Sequence, residues 1–562
     1  MKQTSQTDPL RIDSVQVSAF GGEIGMTRCP GKKSEHGNAG GCERDLETDL
    51  DDIVGWGATV LLSLLEPHEF EQLGVARMKQ GLPDRLAHFI LPIVDGGVPS
   101  GTWERAWQAI GPQLRERLAL GERIVIHCHS GLGRTGMVAA RLLIEFGEEP
   151  AEAIRHIRRI RPGAIKTRRQ EAYVLRQKPL DAILRRPVIA VDREKQARFR
   201  GCLLGGAVGD ALGAPVEFME IARIRSTFGA NGIRDFVHYA GKLGAITDDT
   251  QMTLFTAEGL LRAANRRRLG GIGTAIPGTV AQAYQRWLVT QGEKSALTPE
   301  NRSGWLIRNP ALFARRAPGI TCLTALGAMK RNDDTADNNS KGCGGVMRMA
   351  PVGLYAHGMG MESTAMACKS AFRLGCNLAA ITHGHPAGQH AAGVLAALIV
   401  RLLQGASLPF ALDEAKGILK TQDDHEETLA AINLAVRLAG DSGDSDNHLS
   451  QLGQGWVAEE ALAIAIYCAL RSDSFEEGVT LAVNLTGDSD STGAIAGNLL
   501  GALYGVEAIP KRWLEPLELR EVITAVADDL LSWPQWPVSI YWPADLAERR
   551  SVTYWLDRYP GH

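Results

Sequence analysis

The stretch IVIHCHSGLGRTGM, Ile124 to Met137, decides the fold of the N-terminal third of the chain. Its β-branched opening, Ile124-Val125-Ile126, reads as a buried strand. The run passes through Cys128, and Arg134 follows after five residues, two of which, Gly131 and Gly133, let backbone amides converge on one point. Thr135 and Gly136 then open the apolar helix MVAARLLIEF. Strand, glycine-rich turn and helix N-terminus, in that order, form an anion cradle. A cysteine at the base of such a cradle is favoured as a thiolate nucleophile, and Arg134 can grip two oxygens of a phosphate at once. Of the nine cysteines, Cys128 alone has an arginine six positions on. A bare C-x5-R spacing occurs by chance, so the surrounding strand, glycines and helix carry the reading.

At 562 residues the chain predicts two or more domains. A hydrophobic fraction of 44% provides for sizeable cores, and a net charge of −3 gives no signal for nucleic acid or an acidic membrane as partner. The scattered cysteines lack zinc or disulfide spacing, and a reduced cytoplasm is expected. MKQTSQTDPLRID lacks an apolar signal core. The apolar run Ala391–Val400 is too short to span a bilayer and reads as a buried helix; no membrane association is expected.

Two shifts in composition divide the sequence. Residues 1–185 alternate strand-like and helical segments, an α/β pattern. Arg185-Arg186-Pro187 and the charged run at 192–195 mark a connector, residues 186–196. Residues 197–545 carry helical patterns with small and apolar faces at 201–214, 251–265, 388–404, 456–470 and 492–504, an all-α domain; 546–562 read as a C-terminal tail.

Phosphate-ester cleavage wants a proton for the leaving oxygen. Asp95, in LPIVDGGVP, supplies a carboxylate at a strand end; taken locally it also reads as a turn residue before Gly-Gly. Thr135 caps its helix or steadies the sulfur. Gln170, in GAIKTRRQ, orients the attacking water or is a solvated helix residue. These motifs, with MTRCPG upstream and RPGAIKTRRQEAYV downstream, resemble the dual-specificity branch of the protein tyrosine phosphatases, nearest to the kinase-associated phosphatases, over residues 14–180. The resemblance implies Cys128 as the nucleophile of a phosphocysteine intermediate, Arg134 as phosphate clamp and Asp95 as general acid. The glycine-rich, polar stretch Lys32 to Cys42 departs from the family pattern.

The second region places Thr247, Asp248 and Asp249 at the start of one apolar helix and Asp488, Asp490 and Ser491 at the start of another. Oxygen ligands without His or Cys suit Mg2+ or Mn2+, although Asp, Ser and Thr are also ordinary N-caps. Six ordered blocks, FRGCLLGGAVGDALGAPVEF, ITDDTQMTL, RAPGITCLTAL, NNSKGCGGVMRMAPVGL, ITHGHPAGQHAAG and GDSDSTGAIAGNLLGALYG, resemble the ADP-ribosylglycohydrolases over residues 197–530. The resemblance implies a compact all-α fold with two Mg2+ or Mn2+ ions held by Thr247, Asp248, Asp249, Asp488, Asp490 and Ser491. It further implies Glu217 as an acidic gate over the anomeric carbon, and Ser340, Gly342, Gly344, Gly345 and His383 around the diphosphate. Cys343 stands where some members carry Asn, and Ser491 where Thr is common.

The sequence therefore predicts an α/β cysteine-phosphatase domain joined to an all-α ADP-ribosylglycohydrolase domain. The expected protein is a bifunctional hydrolase acting on phosphorylated and ADP-ribosylated substrates. Two alternatives stay open: a first domain that docks phosphorylated partners for the hydrolase, and a second domain that acts on another ribosyl compound.

Overall fold

A computed structural model of the chain describes residues 4–17, 22–34, 41–79, 82, 86–180, 187, 189–271, 276–296, 303–541, 543 and 546–561. Arg186 and Val188 of the expected connector, Arg185 before it, Asp545 at the expected tail boundary, and residues 35–40 of the glycine-rich stretch lie outside the described residues. The chain divides into two units, Met1–Pro187 with Pro543–Tyr554, and Val188–Trp542 with Trp555–His562.

The first unit is built on a five-stranded sheet: β1 (Asp13–Gln16), β2 (Glu23–Thr27), β3 (Ala58–Ser63), β4 (Ala87–Ile90) and β5 (Arg123–His127), in the order β1-β2-β5-β3-β4. β1 pairs antiparallel with β2, and the remaining pairings are parallel. The central strands are apolar at nearly every position because both faces are covered. Val60, Leu62, Ile124 and Ile126 enter one core with Trp103, Met137 and Ile157, while Leu61 and Val125 enter the other with Ile53, Phe70 and Val75. The α-helices of this part are α1 (Leu46–Gly55), α2 (Pro67–Gln72), α3 (Gly101–Ala119), α4 (Gly133–Glu145), α5 (Pro150–Ile160) and α6 (Arg168–Val174). β5 lies at the centre of the sheet, so the turn that follows it leaves from the most constrained strand.

The second unit is helical apart from one short hairpin, His238–Tyr239 with Lys242–Leu243, among its described residues. Its first helix, α7 (Arg193–Gly213), begins eight residues before the apolar pattern at 201, because Asp192 caps it through the N–H groups of Glu194 and Lys195. Glycines at 201, 205 and 209, with Gly213, form a ridge along α7 that meets Gly501, Gly497, Gly493 and Ser489 of the helix Ser489–Tyr504. The backbones touch there: a Cβ on Gly209 would lie 1.9 Å from the Gly493 carbonyl oxygen, and one on Gly205 would lie 2.4 Å from that of Gly497. The helix Pro386–Leu403 is long and apolar enough to cross a membrane by length and composition, and 78% of it is buried inside the protein. The expected tail instead contains the helix Leu546–Arg558, whose Trp555 stacks on Trp536 at 3.9 Å and is followed by the buried Tyr559. The aromatic residues tie this end down.

Candidate functional sites

In the first unit β5 delivers Cys128, and residues 128–132 turn into α4. Gly131 has φ +68°, and a Cβ there would lie 2.1 Å from the Thr27 carbonyl oxygen, so only glycine fits the turn. Arg161 fixes the turn from outside, donating through Nε to the Gly131 carbonyl at 2.6 Å and through Nη1 to that of Met26 at 3.0 Å. Cys128 is buried.

Arg134 is fully buried and clamped by Glu69, its Nη1 and Nη2 donating to the two carboxylate oxygens at 2.6 and 2.8 Å. Nη1 also donates to the Ile93 carbonyl at 2.9 Å, while Nε has no partner among the described residues. Burial pushes the Glu69 carboxyl up, but the Arg134 hydrogen bonds and the Glu66 N–H outweigh it and hold it below the ordinary carboxylate range. Asp95 is 80% exposed and pairs with Arg134 Nη2 at 3.1 Å. It sits in a turn closed by the Gly97 N–H to the Val94 carbonyl, with Gly96 at φ +70°. The structure thus gives Asp95 both the turn position and a place beside the arginine. Thr135 Oγ1 is buried without a partner among the described residues. Gln170 is buried rather than solvated: it forms a capping box with Thr167, donates to the Gly97 carbonyl at 3.1 Å and packs against Gly133.

Sequence reasoning missed Glu69. Nothing in PHEFEQ marks it, since its partner lies 65 positions away.

In the second unit the glycine contact brings the end of α7 to the N-terminus of Ser489–Tyr504. Carboxylate oxygens of Glu217, Asp488 and Asp490 lie within 4.8 Å of one another. Burial and then the charge of Asp490 and Asp488 push Glu217 up to about 10. Burial and the neighbouring carboxylates also raise Asp248, Asp249 and Asp488 well above the ordinary range. Asp249 Oδ1 and Asp488 Oδ2 are buried with no hydrogen-bond partner among the described residues. Buried acidic oxygens that repel one another and lack donors fit a divalent cation. All six expected ligands also have partners within the protein: Asp488 Oδ1 and Asp490 Oδ1 accept the Ser491 N–H, and Asp249 Oδ2 accepts the Thr247 hydroxyl. Thr247 Oγ1 accepts the Asp249 N–H, Asp248 Oδ2 accepts the Gly319 N–H at 3.2 Å, and Ser491 Oγ faces Met347 Sδ at 3.8 Å.

Asp210, not singled out as a site residue, organises the first half of the cluster. It accepts the N–H groups of Thr247 and Thr250 and the Thr250 hydroxyl, the last at 2.5 Å. Burial and the charge of Asp490 push it up to about 7. The sequence did carry a signal, an Asp within the small, apolar run LLGGAVGDALGA, because a fully buried carboxylate needs a purpose.

The loop from Ser340 to Gly345 pairs with Val457 through Gly342, and the Cys343 N–H donates to the Trp456 carbonyl. A Cβ on Gly342, Gly344 or Gly345 would come within 3.3–3.4 Å of the His383 ring, so the glycines let the loop fold over it. Burial and the charge of Arg348 push this imidazole down to about 3.

Residues 192–537 match the family model described as ADP-ribosylglycohydrolase, and residues 41–174 match that of the Swiss Army Knife protein DSP-PTPase phosphatase domain. An uncharacterized protein of Archaeoglobus fulgidus is 30% identical over 343 residues, 60% of this chain and 96% of its own length. The ADP-ribosyl-[dinitrogen reductase] glycohydrolase of Rhodospirillum rubrum is 27% identical over 333 residues, 58% of this chain and 91% of its own. A crystal structure of kinase associated phosphatase aligns with 30% of this chain and 93% of its own, at 25% identity and a TM-score of 0.27.

Proposed function

Because the chain belongs to the ADP-ribosylglycohydrolase family and couples that unit to a phosphatase domain, we propose that it is a bifunctional hydrolase with two chemically independent sites. The observation that carries the second site is the pair of unpartnered buried oxygens, Asp249 Oδ1 and Asp488 Oδ2, beside the Glu217–Asp488–Asp490 group. Thr247, Asp248, Asp249, Asp488, Asp490 and Ser491 would hold two Mg2+ or Mn2+ ions. Bound there, the ions supply positive charge that orients a ribose diol and polarises water. Ser340, the backbone of Gly342, Gly344 and Gly345, and His383 take the diphosphate, and Glu217 covers the anomeric carbon. The reaction is hydrolysis of the bond between ADP-ribose C1″ and an acceptor.

In the first site the Cys128 thiolate attacks phosphorus, forming an S–P bond as the P–O bond breaks. Asp95 gives its proton to the leaving oxygen. Water, oriented by Gln170 and losing its proton to Asp95, then cleaves the S–P bond. Arg134, aligned by Glu69, holds two phosphoryl oxygens throughout. The nine free thiols suit a reducing cytoplasm.

The test offers the protein ADP-ribosylated arginine, serine and nucleic-acid ends with Mg2+, and p-nitrophenyl phosphate separately. Release of free ADP-ribose from one acceptor is expected, nearly eliminated in Asp249→Asn and Asp488→Asn. Release that persists after thorough chelation, or two Mn2+ still bound per chain in either variant by calorimetry, overturns the ligand assignment.

A further inference from the structure

Arg348 is fully buried, yet no carboxylate among the described residues pairs with it. Its guanidinium lies over the Tyr284 ring at 4.3 Å, and Nη1 meets Met252 Sδ and Cys322 Sγ at 3.3 and 3.4 Å. Nη2 donates to Thr382 Oγ1 at 2.5 Å, and Thr382 Oγ1 lies 2.8 Å from His383 Nδ1. A buried cation without a counter-ion costs several kcal/mol, so the arrangement calls for a purpose.

The chain of bonds has one direction. Arginine has no acceptor, so Thr382 Oγ1 must accept from it. The hydroxyl has a single proton, and the imidazole nitrogen is a far better acceptor than the nearby thiol of Cys322. That proton goes to His383 Nδ1, and the ring proton of the neutral imidazole is thereby placed on Nε2. Nε2 bonds to nothing else among the described residues and lies 3.4 Å from where a Gly342 Cβ would stand.

We propose that Arg348 and Thr382 are positioning residues that hold His383 as the neutral Nε2–H tautomer, turning a buried histidine into a donor for an anion seated on the Gly342–Gly345 loop. The proposal rests on the reading of that loop as the diphosphate cradle. A neutral donor suits a site that must release its product, while the Arg348 charge, one hydroxyl further back, polarises the donor without contacting the ligand.

The tautomer is read directly by long-range 1H–15N correlation on the full chain labelled in histidine, with His383→Gln assigning the resonance. Wild type is expected to show a protonated Nε2 and an unprotonated Nδ1, with Thr382→Ser the same. Thr382→Val, isosteric but without the hydroxyl, is expected to lose the pure tautomer and to weaken ADP-ribose binding by about tenfold, the loss of one hydrogen bond to a charged group. Thr382→Ser should restore affinity to within about twofold of wild type. Protonated Nδ1 in the wild type overturns the proposal, as does a Thr382→Val protein with unchanged tautomer and affinity. A correct tautomer in a wild-type protein that binds no ADP-ribose overturns the cradle reading and, with it, the donor role.

Discussion

Glu69 accepts from both terminal nitrogens of Arg134 and so decides which edge of the guanidinium faces the Cys128 turn. Glu69→Gln replaces one accepting oxygen by an amide that opposes the arginine. The KM for p-nitrophenyl phosphate should rise about tenfold, the loss of one charge-assisted hydrogen bond, with a smaller change in kcat; an unchanged KM would show that Arg134 is aligned without it. The carboxyl is held below its ordinary range. Its stabilising contribution is therefore present above the unfolded carboxylate value and lost as pH falls through the folded one. The difference in urea midpoint between wild type and Glu69→Gln should shrink as the pH is lowered across that window. Cys128, Arg134 and Asp95 were legible because they lie in short motifs whose chemistry is local. Glu69 was not, because its role exists only once β3, β5 and α2 have packed.

At the scale of elements, α7 and Ser489–Tyr504 approach at glycine on both sides, and that approach places Asp210 beside Asp490. Gly209→Ala must move backbone rather than a flexible side chain, at an overpacking cost of about 1–3 kcal/mol. A Tm lowered by about 2–10 °C and a weaker Mn2+ affinity are expected. Gly417→Ala is the control, since a Cβ there meets nothing within 4 Å. It should leave Mn2+ affinity unchanged and raise stability by about 0.5–1 kcal/mol through helix propensity. Equal effects of the two changes would remove the contact from the account. Helical period revealed both helices in the sequence. Their pairing stayed hidden, because a four-residue glycine repeat read alone is only a small face, and its partner lies almost 300 residues away.

At the scale of the molecule the two proposed chemistries draw on different groups, Cys128 with Arg134 in one unit and buried carboxylates in the other. EDTA should abolish ADP-ribose release and leave phosphatase turnover intact. Cys128→Ser should do the reverse, and comparable loss of both activities in a folded Cys128→Ser protein would sink the two-site reading. The glycine contact between α7 and Ser489–Tyr504 also governs the order of events at birth. Asp210 leaves the ribosome about 280 residues before Asp488, roughly 14–56 s earlier at about 5–20 residues per second. Through that interval Asp210, joined about 40 residues later by Asp248 and Asp249, is carried by a nascent chain whose opposing surface has not yet been made. On the proposed metal reading, loading waits until Asp488 and Asp490 have been made: a chain halted before Ser489–Tyr504 carries only half of the acidic pocket.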